Sequence, residues 1–363
     1  MRKLGLSIYP EKSTMKEIEA YLDLGKKYGF TRIFSCLLSV TKAPEEIKNE
    51  FLQLNRYAHK LGYEVIVDVS PRVFGELGIS YQNLVFFHEI EADGIRLDQG
   101  FTGLEESLMT FNPYDLTIEV NMSNNTHTID TIMDYQPKES HLIACHNFYP
   151  HIYSGLSKEH FMNCTRRFKK HGLRTAAFVT SQVKGSYGPW PVADGLPTME
   201  MHRYLPVEAQ VKHLIALGGI DDIIISNCFA SEEEMKALSS MRKDMVTFQV
   251  QLVKDIPELM RKIVLDEMHF NRGDVSGNYL RSTQSRVKFK GEHFPLFHAP
   301  EMIRRGDVIV ESSLYGHYAG ELQIALSDMK NSGKSNVVGH IVESEQFILD
   351  DMKPWQKFNF TEK

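Results

Sequence analysis

The sequence lacks the cysteine patterns that mark zinc-binding and disulfide-rich proteins. Its 363 residues include only four cysteines, Cys36, Cys145, Cys164 and Cys228, and no two of them form a CxxC pair. Cysteines scattered in this way argue against a cysteine-based zinc site. We interpret them as reduced thiols that are mostly part of the core.

Long apolar runs are also missing. No stretch approaches the roughly 20 apolar residues that a helix needs to cross a bilayer. The apolar segment within the basic start MRKLGLSIYPEKST is far too short for a signal peptide. These absences predict a cytoplasmic protein with no membrane partner.

An excess of positive charge is absent as well. Lys and Arg number 41 against 47 Asp and Glu, which gives a formal net charge of −6. This composition offers no electrostatic footprint for nucleic acid, so we expect no nucleic-acid partner. It leaves the oligomeric state open, and a homo-oligomer is compatible with it.

What the sequence does contain is a regular alternation of short apolar runs and amphipathic helical stretches over its first 230 residues. The helical stretches end in a basic residue and a glycine before the next run, as in TMKEIEAYLDLGKKYG. Eight strands that alternate with helices predict a (β/α)8 barrel of the TIM type. An open doubly wound sheet is the alternative, but no glycine-rich phosphate loop follows the first run. The runs are KLGLSIYP, TRIFSCLL, EVIVDVS, GIRLDQGF, TIEVNMSN, HLIACHNFYP, RTAAFVTSQ and DDIIISNC.

The alternation of strands and helices ends after about residue 240. Short strands with few helices between them follow, namely MVTFQVQLV, SRVKFKG, GDVIVES, GELQIALSDM and SNVVGHIV, and PELMRKIVLDEM is the main helical candidate. We therefore predict a barrel domain over residues 1–240 and a small, mostly β domain over residues 245–363, which we expect to be a closed β-barrel.

Polar residues interrupt the apolar runs where three successive strands should end. Side chains alternate between the inside and outside of a barrel, and active sites lie at the carboxyl ends of the strands. The alternation predicts that Asp68, then Arg96 and Asp98, then Glu119 and Asn121 point inward. Such a cluster is either a purely stabilising ion-pair layer or a set of carboxylates that face a pocket.

Several carboxylates together favour glycoside hydrolysis, in which one acid protonates the leaving oxygen and another attacks or activates water. A divalent metal site that includes His146 is the alternative. No HxH or HExxH spacing supports tight metal binding, so we predict neither a metal nor another cofactor. His146 is then a hydrogen-bonding partner of the substrate or a packed core residue, and Asn147 is its neighbour on the sixth run.

A long segment rich in Gly, Pro and aromatic residues, Thr180 to Pro206, follows the seventh run. Loops of this length in compact domains are usually functional. Trp190 either stacks on a sugar ring or packs the loop onto the barrel. The charged residues of this loop that we consider as extra acids or as ligands of an anionic group are Lys184, Asp194, Glu200 and Arg203. In the second domain, Arg281 within GDVSGNYLRSTQSR is either a phosphate ligand on a lid or a solvated loop residue.

Five separated motifs, LGLSIYPEKST, DGIRLD, EVNMSN, CHNFYP and GPWPVADGLPTME, together resemble the bacterial 6-phospho-N-acetylmuramidases, the MupG-type glycosidases. The resemblance covers the whole chain and implies a cyclophilin-like C-terminal domain. It implies a cytosolic exo-glycosidase of peptidoglycan recycling. The substrate would be a small phosphorylated disaccharide, N-acetylmuramic acid 6-phosphate linked β-1,4 to N-acetylglucosamine.

The resemblance assigns no catalytic residues, so our choice comes from the strand ends. We predict Asp98 as the ionised partner, supported by Arg96, and Glu119 as the acid, with Asp68 in reserve. Asp194 or Glu200 from the loop could take the role of either Asp98 or Glu119. A metal-dependent phosphosugar isomerase or aldolase and a non-catalytic phosphosugar-binding protein are the competing functions.

Overall fold

A computed structural model describes residues 2–37, 42–192 and 194–363, without the side chains of residues 71 and 72. Leu38, the last residue of the predicted second run, therefore lies outside the described residues. The chain divides into two compact units. The first comprises Met1–Val211 and Gly219–Ser240, and the second comprises Lys212–Gly218 and Met241–Lys363.

The first unit contains a closed barrel of eight parallel strands, in which each strand pairs with the next and the first pairs with the eighth. The predicted TIM-type fold is confirmed, and all eight apolar runs contain a barrel strand. The strands are β1 (Lys3–Ile8), β2 (Arg32–Leu37), β3 (Glu64–Val69), β4 (Gly94–Leu97), β5 (Thr117–Asn121), β6 (Leu142–Cys145), β7 (Arg174–Val179) and β8 (Asp222–Ile225).

Helices follow the barrel strands along the chain. They are α1 (Met15–Lys27), α2 (Pro44–Lys60), α3 (Pro71–Glu76), α4 (Val85–Glu89), α5 (Leu104–Met109), α6 (Thr128–Asp134), α7 (Lys158–Lys169), α8 (Val207–Leu217) and α9 (Glu232–Ser240). Short 3-10 helices lie at Glu139–His141 and Glu200–His202. No helix within the described residues is both long and apolar enough to cross a membrane.

The ends of these helices show why the sequence pattern was informative. Thr14 caps α1 and forms a reciprocal capping box with Glu17. Gly29 and Gly62 follow α1 and α2 with φ values of 78° and 81°, a left-handed conformation that glycine adopts without a steric cost. The recurring basic residue and glycine therefore mark the turn that leads α1 and α2 into the next strand.

The second unit is built on a seven-stranded sheet in the order β10-β17-β9-β16-β13-β14-β11, and a two-stranded sheet pairs β12 with β15. The predicted mostly β architecture is confirmed. Its strands are β9 (Val246–Leu252), β10 (His269–Phe270), β11 (Tyr279–Ser282), β12 (Met302–Ile303), β13 (Asp307–Glu311), β14 (Leu322–Ala325), β15 (Met329–Lys330), β16 (Ser335–Ile341) and β17 (Lys357–Glu362). Its helices are α10 (Glu258–Asp266) and α11 (Gln284–Lys288), with 3-10 segments at Ser313–Tyr318 and Glu343–Asp351.

One predicted strand of this unit is wrong. The alternating segment SRVKFKG forms α11 instead, and Val287, which the alternation would bury, is exposed. Ser285 is the residue that turns inward, where its hydroxyl donates a hydrogen bond to the Gly320 carbonyl over 2.7 Å. The expected strand lies earlier, at β11, within a segment that we expected to be a loop.

Candidate active site

A cavity of about 250 Å³ opens beyond the carboxyl ends of the central barrel strands. Five of the residues predicted to form the site line this cavity together. The cavity lies at the end of the barrel where TIM barrels place their active sites. Two aromatic side chains from the segment after β6 complete the described lining. The lining residues are Asp68, Arg96, Asp98, Asn147, Phe148, Tyr149 and Trp190.

Arg96 links the polar residues of this cavity. Its Nη1 atom lies 2.5 Å from Asp68 Oδ1 and 3.5 Å from Asp98 Oδ1. Its Nη2 atom donates a hydrogen bond to Asn147 Oδ1. A buried guanidinium is tolerated only when acidic partners surround it, and here one cation holds two carboxylates and an amide at one place.

The two cavity carboxyls lie in different environments. Asp68 is only 5% exposed, and burial raises its pKa to about 6, although Arg96 opposes that shift; Asp98 raises the pKa further. The Asp98 side chain is 39% exposed. A pair in which one carboxyl is buried and the other is solvated is how enzymes obtain an acid and an ionised group at one pH.

Glu119 occupies a deeper level of the barrel. It is fully buried, pairs with Arg32, and lies 4.0 Å from Arg96 Nε. Within the described part of the chain, Glu119 is not among the residues that line the cavity. It shares a register position with Arg96 on the neighbouring strand. Arg96, with its long side chain, reaches up to the cavity from that level, whereas Glu119 does not.

A chain of ion pairs continues from Glu119 towards the amino ends of the strands. Arg32 Nη1 lies 2.5 Å from Asp222 Oδ2, and Arg174 lies within 2.6 Å of both Asp222 and Glu64. The buried charges thereby neutralise one another in pairs. The sequence left open whether these acids form a stabilising ion-pair layer or face a pocket. The contacts of Glu119 are those of an ion-pair layer.

Asn121 and His146 have structural contacts. Asn121 Nδ2 donates to the Asp98 carbonyl over 3.0 Å, so it fixes the backbone that carries a cavity carboxyl. His146 is fully buried, stacks on Phe161, and its two ring nitrogens are hydrogen-bonded to Ser123 and Thr165. Burial lowers its pKa to about 3, so this imidazole is neutral. His146 is therefore the packed core residue of the two alternatives.

Arg203 and Glu200 organise the long loop rather than face the cavity. The Arg203 guanidinium donates to the carbonyls of Tyr149, Gly195 and His151, and it pairs with Glu200 over 2.6 Å. Glu200 also accepts hydrogen bonds from two backbone N–H groups after β6, and Arg203 is the largest cause of its pKa falling to about 2. Lys184 and Asp194 lie on the same loop, where Lys184 is exposed.

Trp190 reaches the cavity because a second set of contacts holds its part of the loop. Lys12, just after β1, donates to the carbonyls of Gly188 and Trp190 over 2.9 and 3.0 Å. The Trp190 side chain remains about half exposed. An exposed indole at the edge of a polar cavity suits stacking on a sugar ring.

Arg281 belongs to the second unit. It lies on β11 and its Nε donates to Glu321 Oε1 over 3.0 Å. The predicted role as a phosphate ligand is untested by these contacts. Among the described residues, no group of three or more His, Cys, Asp or Glu is arranged to hold a metal ion.

Sequence reasoning missed Arg32 and gave no role to Tyr149. Arg32 lies near the start of the apolar run TRIFSCLL, from which we predicted no site residue. The alternation that identified Asp68 would also have placed Arg32, Phe34 and Cys36 on one inward face. Cys36 does lie beside Asp68, with its Sγ atom 3.7 Å from Asp68 Oδ2. Tyr149 lies after β6, where no strand periodicity applies.

Comparison with known proteins identifies the family of this chain. Residues 4–240 match the N-terminal domain and residues 246–361 match the C-terminal domain of 6-phospho-N-acetylmuramidase. The chain belongs to the 6-phospho-N-acetylmuramidase family, known as MupG, and the resemblance read from its motifs is confirmed.

Two solved structures resemble the whole chain. An uncharacterized protein from B. cereus is 44% identical with a TM-score of 0.91, and the match covers 99% of each chain. A conserved protein of unknown function from Enterococcus faecalis is 24% identical with a TM-score of 0.70, over 99% of this chain and 96% of that one. The second likeness concerns the fold alone. No curated protein matches the chain.

Proposed function

We propose that this protein is an exo-acting glycosidase of peptidoglycan recycling in the cytoplasm. It cleaves N-acetylmuramic acid 6-phosphate from N-acetylglucosamine in the β-1,4-linked disaccharide. The single observation that supports this best is the cavity in which Arg96 contacts both Asp68 and Asp98 beside Trp190. Residues 1–240 form the catalytic domain in this proposal, and residues 245–363 form the second domain.

Asp68 takes the role of general acid, in place of Glu119. Its raised pKa keeps a fraction of the carboxyl protonated near neutral pH, so it can give its proton to the glycosidic oxygen as the bond to the anomeric carbon breaks. Glu119 lacks access to the cavity and already pairs with Arg32. The departing sugar leaves as N-acetylglucosamine with that proton on its oxygen.

Asp98 takes the role of nucleophile. Its nearest oxygen and that of Asp68 lie 3.5 and 2.5 Å from the same nitrogen of Arg96. The two oxygens are therefore no further apart than the sum of these distances. Carboxyl groups lie about 5 to 5.5 Å apart in retaining enzymes and about 6.5 to 9.5 Å apart in inverting ones, and oxygens held by one nitrogen agree better with the shorter spacing. The spacing favours a covalent glycosyl ester on Asp98, which water then cleaves with net retention.

Asn147 and Trp190 complete the sugar site, with Trp190 stacked on a ring face. Of the basic loop residues, Lys184 is the better ligand for the 6-phosphate. Arg203 already directs its guanidinium at four carbonyls and Glu200, so few of its donors remain for a phosphate.

The test is hydrolysis of the phosphorylated disaccharide by the purified protein and three variants. Asp98→Asn and Asp68→Asn should each fold and lose about 10³-fold or more in turnover, the scale seen for key catalytic groups. Asp134→Asn, on the exposed surface of α6, is the matched control and should retain wild-type turnover. Wild-type rates in both cavity variants would refute the assignment.

A further inference from the structure

The second unit carries a buried polar cluster that the proposed hydrolysis does not use. It lies on one face of the sheet, where β11, β14, β13 and β16 are neighbours. In one row across this face, the Glu311 N–H donates to the Glu321 carbonyl over 3.1 Å, and Glu311 is paired with Ser335. In the next row, Gln323 is paired with Arg281 on one side and with Ile309 on the other.

The two ends of this face differ in polarity. Ile303, Ile309, Ala325 and Val337 form a buried apolar cluster against which Tyr279 packs. Glu311, Glu321 and Gln323 are also buried, although they carry charged or polar groups. Buried polar groups are expensive unless each one has a partner, so the partners of these three residues decide what the cluster is for.

Glu321 has partners for its charge. Arg281 Nε donates to its Oε1 over 3.0 Å, and Arg286 Nη1 lies 3.0 Å from its Oε2. Both guanidinium groups also lie over the Tyr318 ring, at 5.9 and 5.1 Å from its centroid. The Glu321 carboxylate is thus paired with two guanidinium groups.

Glu311 has no such partner. It is 4% exposed and makes no ion pair among the described residues, where its Oε2 atom also has no hydrogen-bond partner. Like charges directly opposite each other on neighbouring strands are destabilising, and Glu311 lies opposite Glu321. Burial raises its pKa to about 7; a hydrogen bond to Ser335 opposes the shift and the charge of Glu321 adds to it.

Gln323 presents a second unsatisfied acceptor in the adjacent row. Its Nε2 atom donates to Glu321 Oε1 over 3.2 Å, which fixes the amide orientation because an oxygen in that place would repel the carboxylate. Its Oε1 atom has no partner among the described residues, and the residue is 7% exposed. Two acceptors in adjacent rows of this face therefore lack a donor, and one of them is a carboxylate when Glu311 is ionised.

We propose that Glu311 and Gln323 form a binding site for the primary ammonium group of a small ligand. An ammonium carries three N–H donors, enough to reach both acceptors, and its charge balances the one carboxylate that the arginines leave unpaired. Tyr279 lies close enough to Glu311 to interact with it electrostatically, and its ring offers an aromatic face to a cation. The described residues give no cluster of three metal-ligating side chains, so a donor-bearing organic cation fits better than a metal ion.

The proposal carries a pH dependence, because Glu311 must be ionised to hold a cation. Arg281 and Arg286 stay charged between pH 6 and 8, and Tyr279 stays neutral because burial raises its pKa. Ser335 does not titrate, and Glu321 is paired with both arginines. Affinity should therefore fall as the pH is lowered from 8 to 6, by about tenfold per unit below the Glu311 pKa.

The experiment is a calorimetric titration of the full chain at pH 8 with methylammonium. Tetramethylammonium is the control ligand, because it has the same charge and no N–H donor. We expect measurable binding of methylammonium, weaker or undetectable binding of tetramethylammonium, and at least a tenfold loss of methylammonium affinity in Glu311→Gln. The exposed Glu301→Gln variant of the same unit should bind as the wild type does.

Two further measurements keep the outcome decisive. Glu311→Gln preserves shape and removes an unpaired buried charge, so its thermal unfolding temperature at pH 8 should equal or exceed that of the wild type. If it does not fold, Gln323→Met, which removes only the neutral acceptor, should show the same loss of affinity. No binding of methylammonium to the wild type at pH 8, or equal affinity for the two ammonium ions, would overturn the proposal.

Discussion

At the scale of single residues, Asp68 and Glu119 show how environment separates two carboxyls on neighbouring parts of one barrel. Both are buried, but Asp68 faces a cavity and Glu119 faces Arg32. Asp68 can therefore exchange a proton with a ligand, whereas the Glu119 carboxyl is occupied by its contact with Arg32. This difference is the reason that we propose Asp68, rather than Glu119, as the general acid.

Replacing Glu119 tests that difference. Glu119→Gln leaves Arg32 and Arg96 short of a buried counter-charge, so we expect a loss of about 3–5 kcal/mol in the free energy of unfolding. Urea denaturation followed by circular dichroism measures it. Glu64→Gln, which removes a more exposed partner of Arg174, should cost less. A Glu119→Gln protein with wild-type stability and turnover reduced a thousandfold would return the catalytic role to Glu119.

The pKa of Asp68 predicts the pH profile of hydrolysis. Because Asp68 must be protonated to act as the acid, kcat/KM should fall as the pH rises above about 6. The same raised pKa means that the native state binds this proton more tightly than the unfolded state. The stability contribution of Asp68 is therefore complete below its unfolded pKa of about 3.9 and is lost as the pH rises through about 6.

Rate measurements between pH 5 and 8 check the kinetic part, and urea titrations of the wild type and Asp68→Asn check the thermodynamic part. The variant should lack the fall in stability between pH 4 and 6. An activity that rises steadily from pH 5 to 8 would contradict an acid role for Asp68.

At the scale of elements, the long loop after β7 is held by polar contacts at its two parts. Arg203 and Glu200 fix its later part, and Lys12 fixes the part that carries Trp190. These contacts position Trp190 at the cavity before the substrate binds. This reduces the conformational entropy that substrate binding would otherwise have to overcome.

Loosening the Trp190 part of the loop should weaken binding more than chemistry. Lys12→Met keeps most of the side-chain volume and removes both hydrogen bonds to the loop carbonyls. We expect KM for the disaccharide to rise several-fold with little change in kcat, because Asp68 and Asp98 remain in place. Lys16→Met, on α1, is the control. A large fall in kcat with an unchanged KM would show that the loop acts on the chemical step instead.

The barrel elements were predictable because each strand and helix carries its own local signal. Alternation placed Asp68, Arg96 and Asp98 at one end of the barrel, and a glycine after a basic residue marked the turn from helix to strand. Strand periodicity alone does not say how deep each inward residue lies. It therefore could not distinguish Glu119, below the cavity, from Asp68, which lines it.

Other features depend on contacts made far along the chain. Glu200 pairs with Arg203 and backbone after β6, and Arg32 bridges residues from β5 and β8, partners that no local pattern reveals. The segment SRVKFKG alternates like a strand, yet Ser285 rather than Val287 found a buried partner. Local propensity lost to tertiary packing there.

At the scale of the whole molecule, the proposed hydrolysis relies on side chains of the barrel and on no metal ion. The competing metal-dependent isomerase or aldolase requires a bound divalent ion. Prolonged dialysis against EDTA should leave turnover of the phosphorylated disaccharide within twofold of the untreated protein. Loss of activity that a divalent ion restores would favour the metal-dependent alternative.

The most direct test of the central claim is a crystal structure of the protein with N-acetylmuramic acid 6-phosphate bound. We predict that the anomeric carbon lies within reach of an Asp98 oxygen, with an Asp68 oxygen directed at the glycosidic position and the ring against Trp190. A sugar bound in the barrel with its anomeric carbon remote from both carboxyls, or flanked by Asp194 or Glu200 instead, would contradict the account.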